Sequence, residues 1–85
     1  MIIVYHRHSK KSYKKLSTKV KEKLEERLRL FSKDEFDPIL NNHALKGKYL
    51  GYRSMNITGD MRAIFKRDPD SVLFVAIDSH NNLYG

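Results

Sequence analysis

The sequence has no cysteine and no tryptophan, and only two prolines and four glycines among its 85 residues. Without cysteine the chain can form neither a disulfide nor a thiolate metal site, which fits a reducing cytosol. No apolar run approaches the roughly 18 residues of a membrane span, and the first apolar stretch is too short for a signal peptide. These absences predict a soluble, cytoplasmic protein without membrane contact, and the length predicts one domain over residues 1–85.

Positive charge is concentrated in the first third of the chain. Residues 1–31 contain ten Lys/Arg and three Glu, a difference of +7, whereas residues 32–85 contain seven charges of each sign and are neutral. A basic face of this kind suits nucleic acid or an acidic protein partner. A solvated, lysine-rich helix that only keeps a small protein soluble explains the lysines alone equally well.

Hydrophobic spacing predicts an α+β fold with the element order β-α-α-β-β-β. A short β-branched strand covers residues 1–5. Apolar residues then recur at steps of three and four, which predicts helices over residues 9–16 and 18–31, capped by Ser9 and by Ser17 or Thr18. After a connection over residues 32–42, strands are predicted over 49–57, 61–66 and 72–77, the last buried on both faces. The expected result is a small, mostly antiparallel sheet with two N-terminal helices packed on one face.

The strand predicted over residues 49–57 indicates which side chains face the helices. Strand side chains alternate between two faces, and Met55 and Ile57 are typical core residues. This assignment places Arg53 at the core-side edge and Asn56 on the opposite face, although a bulge at Gly51 would reverse it. Because no helix is predicted on the second face, we expect an open, concave and polar surface there.

Three parts of the sequence carry groups that suit acid–base chemistry. The segment 43–53 (HALKGKYLGYR) combines a histidine, three cations and two tyrosines, and is followed by Asn56 and Asp60 and then by His80 and Tyr84. Imidazoles and carboxylates can exchange protons near neutral pH. Neither the spacing of these groups nor any serine supports a metal site or a Ser-His-Asp triad.

Cleavage of RNA needs no protein nucleophile, because the ribose 2′-OH can attack the adjacent phosphate. A base removes the 2′-OH proton, cations stabilise the added negative charge, and an acid protonates the leaving 5′ oxygen. Aromatic rings can stack the bases beside the cut. The candidates are His43 or Asp60 as base, His80 as acid, Tyr84 or Tyr49 as stacking ring, and Lys46, Lys48, Arg53, Asn56 and Arg62 as RNA contacts. The alternatives are that the histidines are incidental surface residues and that Tyr84 only docks on the sheet.

Three segments together resemble the RelE/StbE toxins, most closely the YafQ-like branch. They are residues 43–53 (HALKGKYLGYR), 57–66 (ITGDMRAIFK) and 78–85 (DSHNNLYG), and they lie within residues 43–85, about half of the chain. The resemblance implies a RelE/ParE-like fold and a type II toxin that enters the ribosomal A site and cuts mRNA without a metal or other cofactor. It also implies inhibition by a cognate antitoxin protein, and contacts of the basic helix with 16S ribosomal RNA.

The resemblance also assigns roles by motif position. His43, Asp60 and His80 correspond to functional residues of the YafQ-like branch, with His80 as the proton donor. Tyr84 stands where that branch has a phenylalanine that is important for activity.

Two positions depart from the branch, and they keep other functions open. Asn56 stands where a histidine is frequent, and Met61 where an aromatic residue is frequent. Asparagine cannot exchange a proton at neutral pH, so one acid–base group is missing. The interpretations are therefore a ribosome-dependent mRNA endonuclease, a ParE-like gyrase inhibitor of the same fold, or a noncatalytic module that binds RNA or the ribosome.

Overall fold

The computed structural model describes residues 1–84 as a five-stranded sheet with helices. The elements are β1 (Ile2–Tyr5), α1 (Arg7–Lys15), α2 (Thr18–Lys33), β2 (His43–Ala44), β3 (Arg53–Asn56), β4 (Met61–Arg67), β5 (Ser71–Ser79) and α3 (His80–Tyr84), with 3₁₀ turns at Pro38–Leu40 and Gly47–Tyr49. The predicted α+β class with a mostly antiparallel sheet is confirmed, whereas β2 and α3 were not predicted. Across residues 1–84, none of the helices combines the length and the apolar character needed to cross a bilayer.

The sheet has the strand order β1-β5-β4-β3-β2. β1 pairs with β5 in parallel, and the three other pairs are antiparallel. A parallel pair needs a long crossover, which here contains α1 and α2. β5 pairs with both β1 and β4, so it lies inside the sheet, as its apolar sequence predicts. α3 begins at the C-terminal end of β5.

The first helix begins two residues earlier than its spacing predicts. The cap is His6, whose Nδ1 accepts a hydrogen bond from the backbone N–H of His8 at 3.3 Å. The predicted cap at Ser9 is wrong, because Ser9 lies inside α1 and is fully buried. Its hydroxyl donates to the carbonyl of Phe74 at 2.8 Å, so this serine fastens α1 to β5 instead of starting the helix.

The second helix begins where its sequence predicts and supplies much of the core. Ser17 caps it, with the hydroxyl oxygen accepting from the N–H of Val20 at 3.2 Å. Its buried face includes Phe31, whose ring meets those of Phe65 and Phe74 at centroid distances of 5.2 and 6.4 Å. Edge-to-face contacts of this kind add to the hydrophobic burial that joins the helix to the sheet.

A β-bulge sets the core face of β5. Phe65 pairs with Phe74 and Ile64 with Ala76, so Val75 is an extra residue on β5. The extra residue shifts the alternation, which allows both Phe74 and Ile77 to face the helices although they are three positions apart. The prediction that this run is buried on both faces holds only in part, because Val75 and its neighbours on the second face are half-exposed.

The second face of the sheet is covered at its centre and is not the open surface that we expected. Ser54 and Ile64 pair on the face opposite Met55, and both are fully buried. α3 lies against the end of β5, with Leu83 buried. A short C-terminal helix therefore adds cover where the sequence pattern predicts none.

Candidate functional site

The turn between β3 and β4 presents Asp60. The hydroxyl of Thr58 accepts hydrogen bonds from the N–H groups of Asp60 and Met61 at 3.3 and 3.0 Å, which closes the turn. The Asp60 side chain is exposed, and within residues 1–84 its carboxylate has neither a hydrogen-bond partner nor an ion pair. The carboxylate is therefore available to a ligand.

Arg62 holds the same turn from the strand side. Its guanidinium donates to the carbonyl oxygens of Thr58, Gly59 and Met61 at 3.0, 3.2 and 3.1 Å. The residue was predicted to contact RNA, and its charge does lie beside the exposed turn. All four of its hydrogen bonds within residues 1–84 nevertheless go to backbone carbonyls, so its clearest role in the structure is to fix the turn that carries Asp60.

Strand pairing brings His80 to this turn. Met61 pairs with Ser79, and the next residue, His80, donates its N–H to the carbonyl of Asp60 at 2.8 Å. The two predicted acid–base residues, 20 positions apart in sequence, are thus joined through the backbone at one end of the sheet. The imidazole itself is exposed.

Local caps start α3 at His80. The Ser79 hydroxyl accepts from the N–H of Asn82 at 3.2 Å, and the Asp78 carboxylate accepts from Ser79 N–H at 2.7 Å and from Asn82 Nδ2 at 3.0 Å. A helix of five residues has no stability of its own, so these bonds and the burial of Leu83 hold it. Sequence reasoning missed Asp78, Ser79 and Asn82, although Asp-Ser before a histidine is a recognisable start of a helix.

Four side chains from two distant segments form a continuous row beside Asp60. The His80 and Tyr84 rings, one helical turn apart, lie 4.9 Å apart between centroids. Tyr84 meets Tyr49 nearly edge to face at 6.1 Å and 84°, and the ammonium of Lys48 lies 5.2 Å from the Tyr49 centroid. We call Lys48, Tyr49, Tyr84 and His80 the aromatic row. It unites the segment 43–53 with the C-terminal motif.

The loop that carries Tyr49 is a 3₁₀ turn and not the predicted strand. Gly47 and Gly51 flank it with φ angles of +64° and +93°, which side chains other than glycine rarely adopt. A Cβ added at either glycine would meet no atom within 4 Å, so only the backbone conformation demands glycine. Lys46 and Lys48 are exposed on this loop and remain suited to phosphate contact.

His43 lies on the opposite edge of the sheet. His43 belongs to β2 and pairs with Ser54 of β3. Three strand spacings, about 14 Å, separate its backbone from β5. Its Nδ1 lies 2.7 Å from the carbonyl of Asn41. A carbonyl only accepts, so Nδ1 carries the proton of the neutral ring, and Nε2 keeps a lone pair that can accept a proton.

Arg53 lies at the core-side edge of β3, as the alternation predicts. Its Nε donates to Asn42 Oδ1 at 2.8 Å, and its guanidinium lies 5.6 Å from the Phe36 ring centroid. These contacts direct the side chain away from the row at His80. Arg53 was predicted to contact RNA, and here it anchors the loop that precedes β2.

Asn56 is partly buried. In the strand pairing, Asn56 of β3 lies opposite Arg62 of β4, and Arg62 lies opposite Asp78 of β5. The side-chain oxygen of Asn56 is buried and has no hydrogen-bond partner within residues 1–84. The residue also borders a cleft of about 310 Å³ together with Lys23 and Arg27 of α2. The structure thus places it between the basic helix and the turn.

A second cleft, of about 450 Å³, lies among α1, α2 and β1 and is far from the predicted residues in sequence. Its lining includes Tyr5, Tyr13 and Glu25. Burial, followed by the proximity of Tyr13 and Glu25, raises the pKa of Tyr5. Loss of solvation, followed by the Glu25 carboxylate that accepts its hydrogen bond at 3.3 Å, raises the pKa of Tyr13. Both phenols therefore release their protons at a higher pH than an unperturbed tyrosine does.

The part of the chain that the structure describes holds no cluster of three or more histidine, aspartate or glutamate side chains that could bind a metal ion. The row combines an imidazole, two phenol rings and an ammonium group. The backbone of His80 connects it to the turn that carries the Asp60 carboxylate.

The fold is that of RelE- and YoeB-like toxins. The crystal structure of YafQ from E. coli strain BL21(DE3) matches with a TM-score of 0.83 at 22% identity, covering 98% of this chain and 97% of that chain. The YoeB/ParE toxin from Agrobacterium tumefaciens matches with a TM-score of 0.77 at 21% identity, covering 94% and 99%. The E. coli DinJ-YafQ toxin-antitoxin complex gives a TM-score of 0.79 at 24% identity, covering 98% and 96%. A comparison with curated protein sequences finds no match.

The family is defined by sequence as well as by fold. The model for YafQ, the bacterial toxin of a type II toxin-antitoxin system, matches residues 1–85. The chain therefore belongs to the YafQ family of type II toxins. This result confirms the resemblance carried by the motifs around His43, Asp60 and His80.

Proposed function

We propose that this toxin is a ribosome-dependent endoribonuclease that cuts mRNA in the A site by metal-independent acid–base catalysis. The proposal depends mainly on one observation: the backbone of His80 is hydrogen-bonded to Asp60 in the exposed turn, and the His80 imidazole lies within the aromatic row. The row offers rings for bases and a lysine for phosphate. The pattern supplies the groups that RNA cleavage requires without a protein nucleophile.

The proposed reaction is an internal displacement at phosphorus. A base removes the proton of the 2′-OH, and the 2′ oxygen attacks the adjacent phosphate. The bond from phosphorus to the 5′ oxygen breaks as His80 gives its proton to that oxygen, which leaves a 2′,3′-cyclic phosphate and a free 5′-OH. Lys46 and Lys48 stabilise the charge that gathers on the phosphate oxygens.

Two groups are candidates for the base, and the geometry gives each an argument. Asp60 is close to His80 and its carboxylate is free. His43 approaches from the other edge of the sheet with Nε2 available, which suits a base and an acid on opposite sides of the phosphate. Single-turnover cleavage by Asp60→Asn and His43→Gln variants separates the roles, because the base variant loses far more rate than the other.

The partners follow from the charge distribution and from the relatives. The exposed lysines of α1, which have no ion pair within residues 1–84, contact 16S ribosomal RNA, whereas Lys23 of α2 is paired with Glu26. Relatives are known in complexes named for a toxin and its antitoxin, such as DinJ-YafQ and YoeB-YefM. We expect a cognate antitoxin to inhibit this toxin, and a small acidic DNA-binding protein encoded in the neighbouring reading frame would support that expectation.

Toe-printing of mRNA on programmed ribosomes tests the function. The wild-type protein should give a cut in the A-site codon, and His80→Gln should give none, while His8→Gln, which changes an exposed histidine of α1, should cut as the wild type does. Arrest of DNA synthesis without a cut would identify a gyrase inhibitor. Ribosome binding without a cut would identify a noncatalytic module.

A further inference from the structure

The orientation of the His80 imidazole depends on a ring contact. Within residues 1–84 the imidazole makes no hydrogen bond to another protein group, and its closest aromatic neighbour is Tyr84, at 4.9 Å between centroids. The backbone of His80 is fixed by the carbonyl of Asp60 at 2.8 Å. The main chain is therefore anchored, whereas the ring that must carry the proton is guided only by packing.

Tyr84 in turn depends on Tyr49. α3 is five residues long, and its caps at Ser79 act on its first turn. At the other end Tyr84 is 38% exposed, and its ring meets the edge-to-face partner Tyr49 at 6.1 Å. Buried Leu83 holds the backbone of this last turn, and the contact with Tyr49 limits the positions of the Tyr84 ring beside the imidazole.

Tyr49 is well fixed for this purpose. Its carbonyl accepts from the N–H of Tyr52 at 2.9 Å, and the turn that carries it is set by the positive φ of Gly47 and Gly51. The ammonium of Lys48 lies over its ring, which favours one ring position. Tyr49 is thus held by the bonds of its own loop, whereas Tyr84 and His80 belong to a helix of only five residues.

We propose that Tyr49 is a positioning residue that, through Tyr84, holds the imidazole of His80 in the orientation required of a proton donor. A general acid must be aligned with the leaving oxygen, so an imidazole that samples several orientations is aligned for only part of the time. The kinetic part of this inference rests on the proposed nuclease function, whereas the structural part concerns the free protein alone.

The test compares Tyr49→Leu with Tyr49→Phe, and uses Leu50→Ala as a control because Leu50 is 75% exposed and lies on the same loop. NMR relaxation of the His80 ring carbons in the free protein reports the order of the imidazole. We expect lower order in Tyr49→Leu and wild-type order in Tyr49→Phe and Leu50→Ala. Unchanged ring order in folded Tyr49→Leu would overturn the proposal.

Single-turnover cleavage on saturating ribosomes gives the kinetic readout. Tyr49→Leu should lower the rate about 3- to 10-fold, as removal of one aromatic pair implies, with ribosome affinity unchanged. Tyr49→Phe should restore the rate. A loss confined to ribosome affinity, or a Phe variant as slow as the Leu variant, would contradict positioning. If the wild-type protein does not cut at all, the nuclease proposal fails while the ring-order measurement still decides the role of Tyr49.

A double-mutant cycle tests whether Tyr49 acts through Tyr84. Tyr84→Leu should lower His80 ring order as Tyr49→Leu does, and the double variant should lower it no further, because both act through one contact. Additive effects on ring order would mean that Tyr49 does not act through Tyr84, and would overturn the proposal.

Discussion

The helical part and the sheet part of this toxin use positive charge differently. Lys10, Lys11, Lys14 and Lys15 of α1 have no ion pair within residues 1–84 and are exposed. In the sheet part, Arg62 is held by three carbonyls, Arg53 by Asn42, and Arg67 by Glu35 at 3.1 Å. Free lysines give a long-range attraction to a polyanion, whereas bound arginines fix loops and turns. The surplus of +7 in residues 1–31 therefore includes exposed lysines of α1 that pair with no carboxylate within residues 1–84.

This difference separates attachment from chemistry. If attachment resides in the helices and chemistry beside Asp60, substitutions in one part should change affinity and in the other should change rate. Lys48 is exposed like the lysines of α1 but lies within the aromatic row, so its substitution should change both affinity and rate.

The largest expected effect is on the chemical step alone. His80→Ala removes the proposed proton donor and should slow single-turnover cleavage about 10²- to 10⁴-fold, while ribosome affinity stays within about twofold. Induction of the variant in cells should no longer arrest translation. A folded His80→Ala protein that remains fully toxic would refute the assignment of the proton donor.

The next effect concerns attachment. Replacing Lys10, Lys11, Lys14 and Lys15 by Gln should weaken ribosome binding and reduce the dependence of log affinity on log salt by about 0.7–0.9 for each phosphate that is no longer neutralised. The saturated cleavage rate should not change. The matched control replaces the same lysines by Arg, which keeps the charge. If wild-type affinity barely changes between about 50 and 200 mM salt, the helices do not grip RNA.

A bound and a free cation should differ in their effect on stability. Arg62→Met removes the donors to three turn carbonyls and should lower the free energy of unfolding by about 1–3 kcal/mol. Lys15→Met, in an exposed position of α1, should change it by less than about 0.5 kcal/mol. Urea denaturation measures both. Equal losses of stability in the two variants would show that the bound arginine contributes no more to the fold than the free lysine.

Two buried serines give a similar contrast at smaller scale. Ser9→Ala removes the hydroxyl that donates to Phe74, and should cost about 1–2 kcal/mol because the carbonyl loses a partner. Ser54→Ala removes a hydroxyl that is buried without a partner within residues 1–84, and should leave stability unchanged or raise it by up to about 1 kcal/mol. Thermal unfolding of the two variants provides the comparison. A large loss in Ser54→Ala would indicate an unrecognised partner.

The smallest effect is on alkaline stability of the helical part. The pKa of Tyr5 is raised in the folded state, so its contribution is fully present below the unfolded value near 10 and is lost as the pH rises towards the folded value. Tyr5→Phe should therefore lose less stability above about pH 10 than the wild type. Tyr13 still titrates in the variant, so the loss becomes smaller without disappearing. Parallel stability curves for the two proteins would show that Tyr5 is not involved.

The sequence predicts best the long elements, in which apolar residues recur with one regular spacing. α2 has a long apolar stripe and a serine cap, and β5 has a run of branched and aromatic residues, so the starts of both are predicted to within about two residues. β2 has two residues and α3 has five, which is too short for periodicity to be visible. The spacing mistakes Ser9 for a cap because its hydroxyl bonds to a strand 65 positions away, which no local pattern reveals.

The site is predictable in composition but not in arrangement. The sequence identifies His43, Asp60, His80 and Tyr84 by motif, and the structure joins the last three at one end of the sheet. The sequence does not indicate that Arg53 and Arg62 bind the protein's own side chains and backbone, because no sequence pattern distinguishes a paired cation from a free one. The contact of Tyr49 with Tyr84 depends on the turn between two glycines, where the residue pattern predicts a strand.

The bulge at Val75 has a consequence for how the end of β5 is directed. Phe74 and Ala76 face adjacent residues of β4, so a chain that lacked Val75 would keep every strand pairing and every inward side chain. What it would lose is the local bend and added twist that a bulge imparts. Deletion of Val75 is therefore a way to change the direction of the end of β5, and with it the position of His80, while every other residue of the sheet and the site is kept.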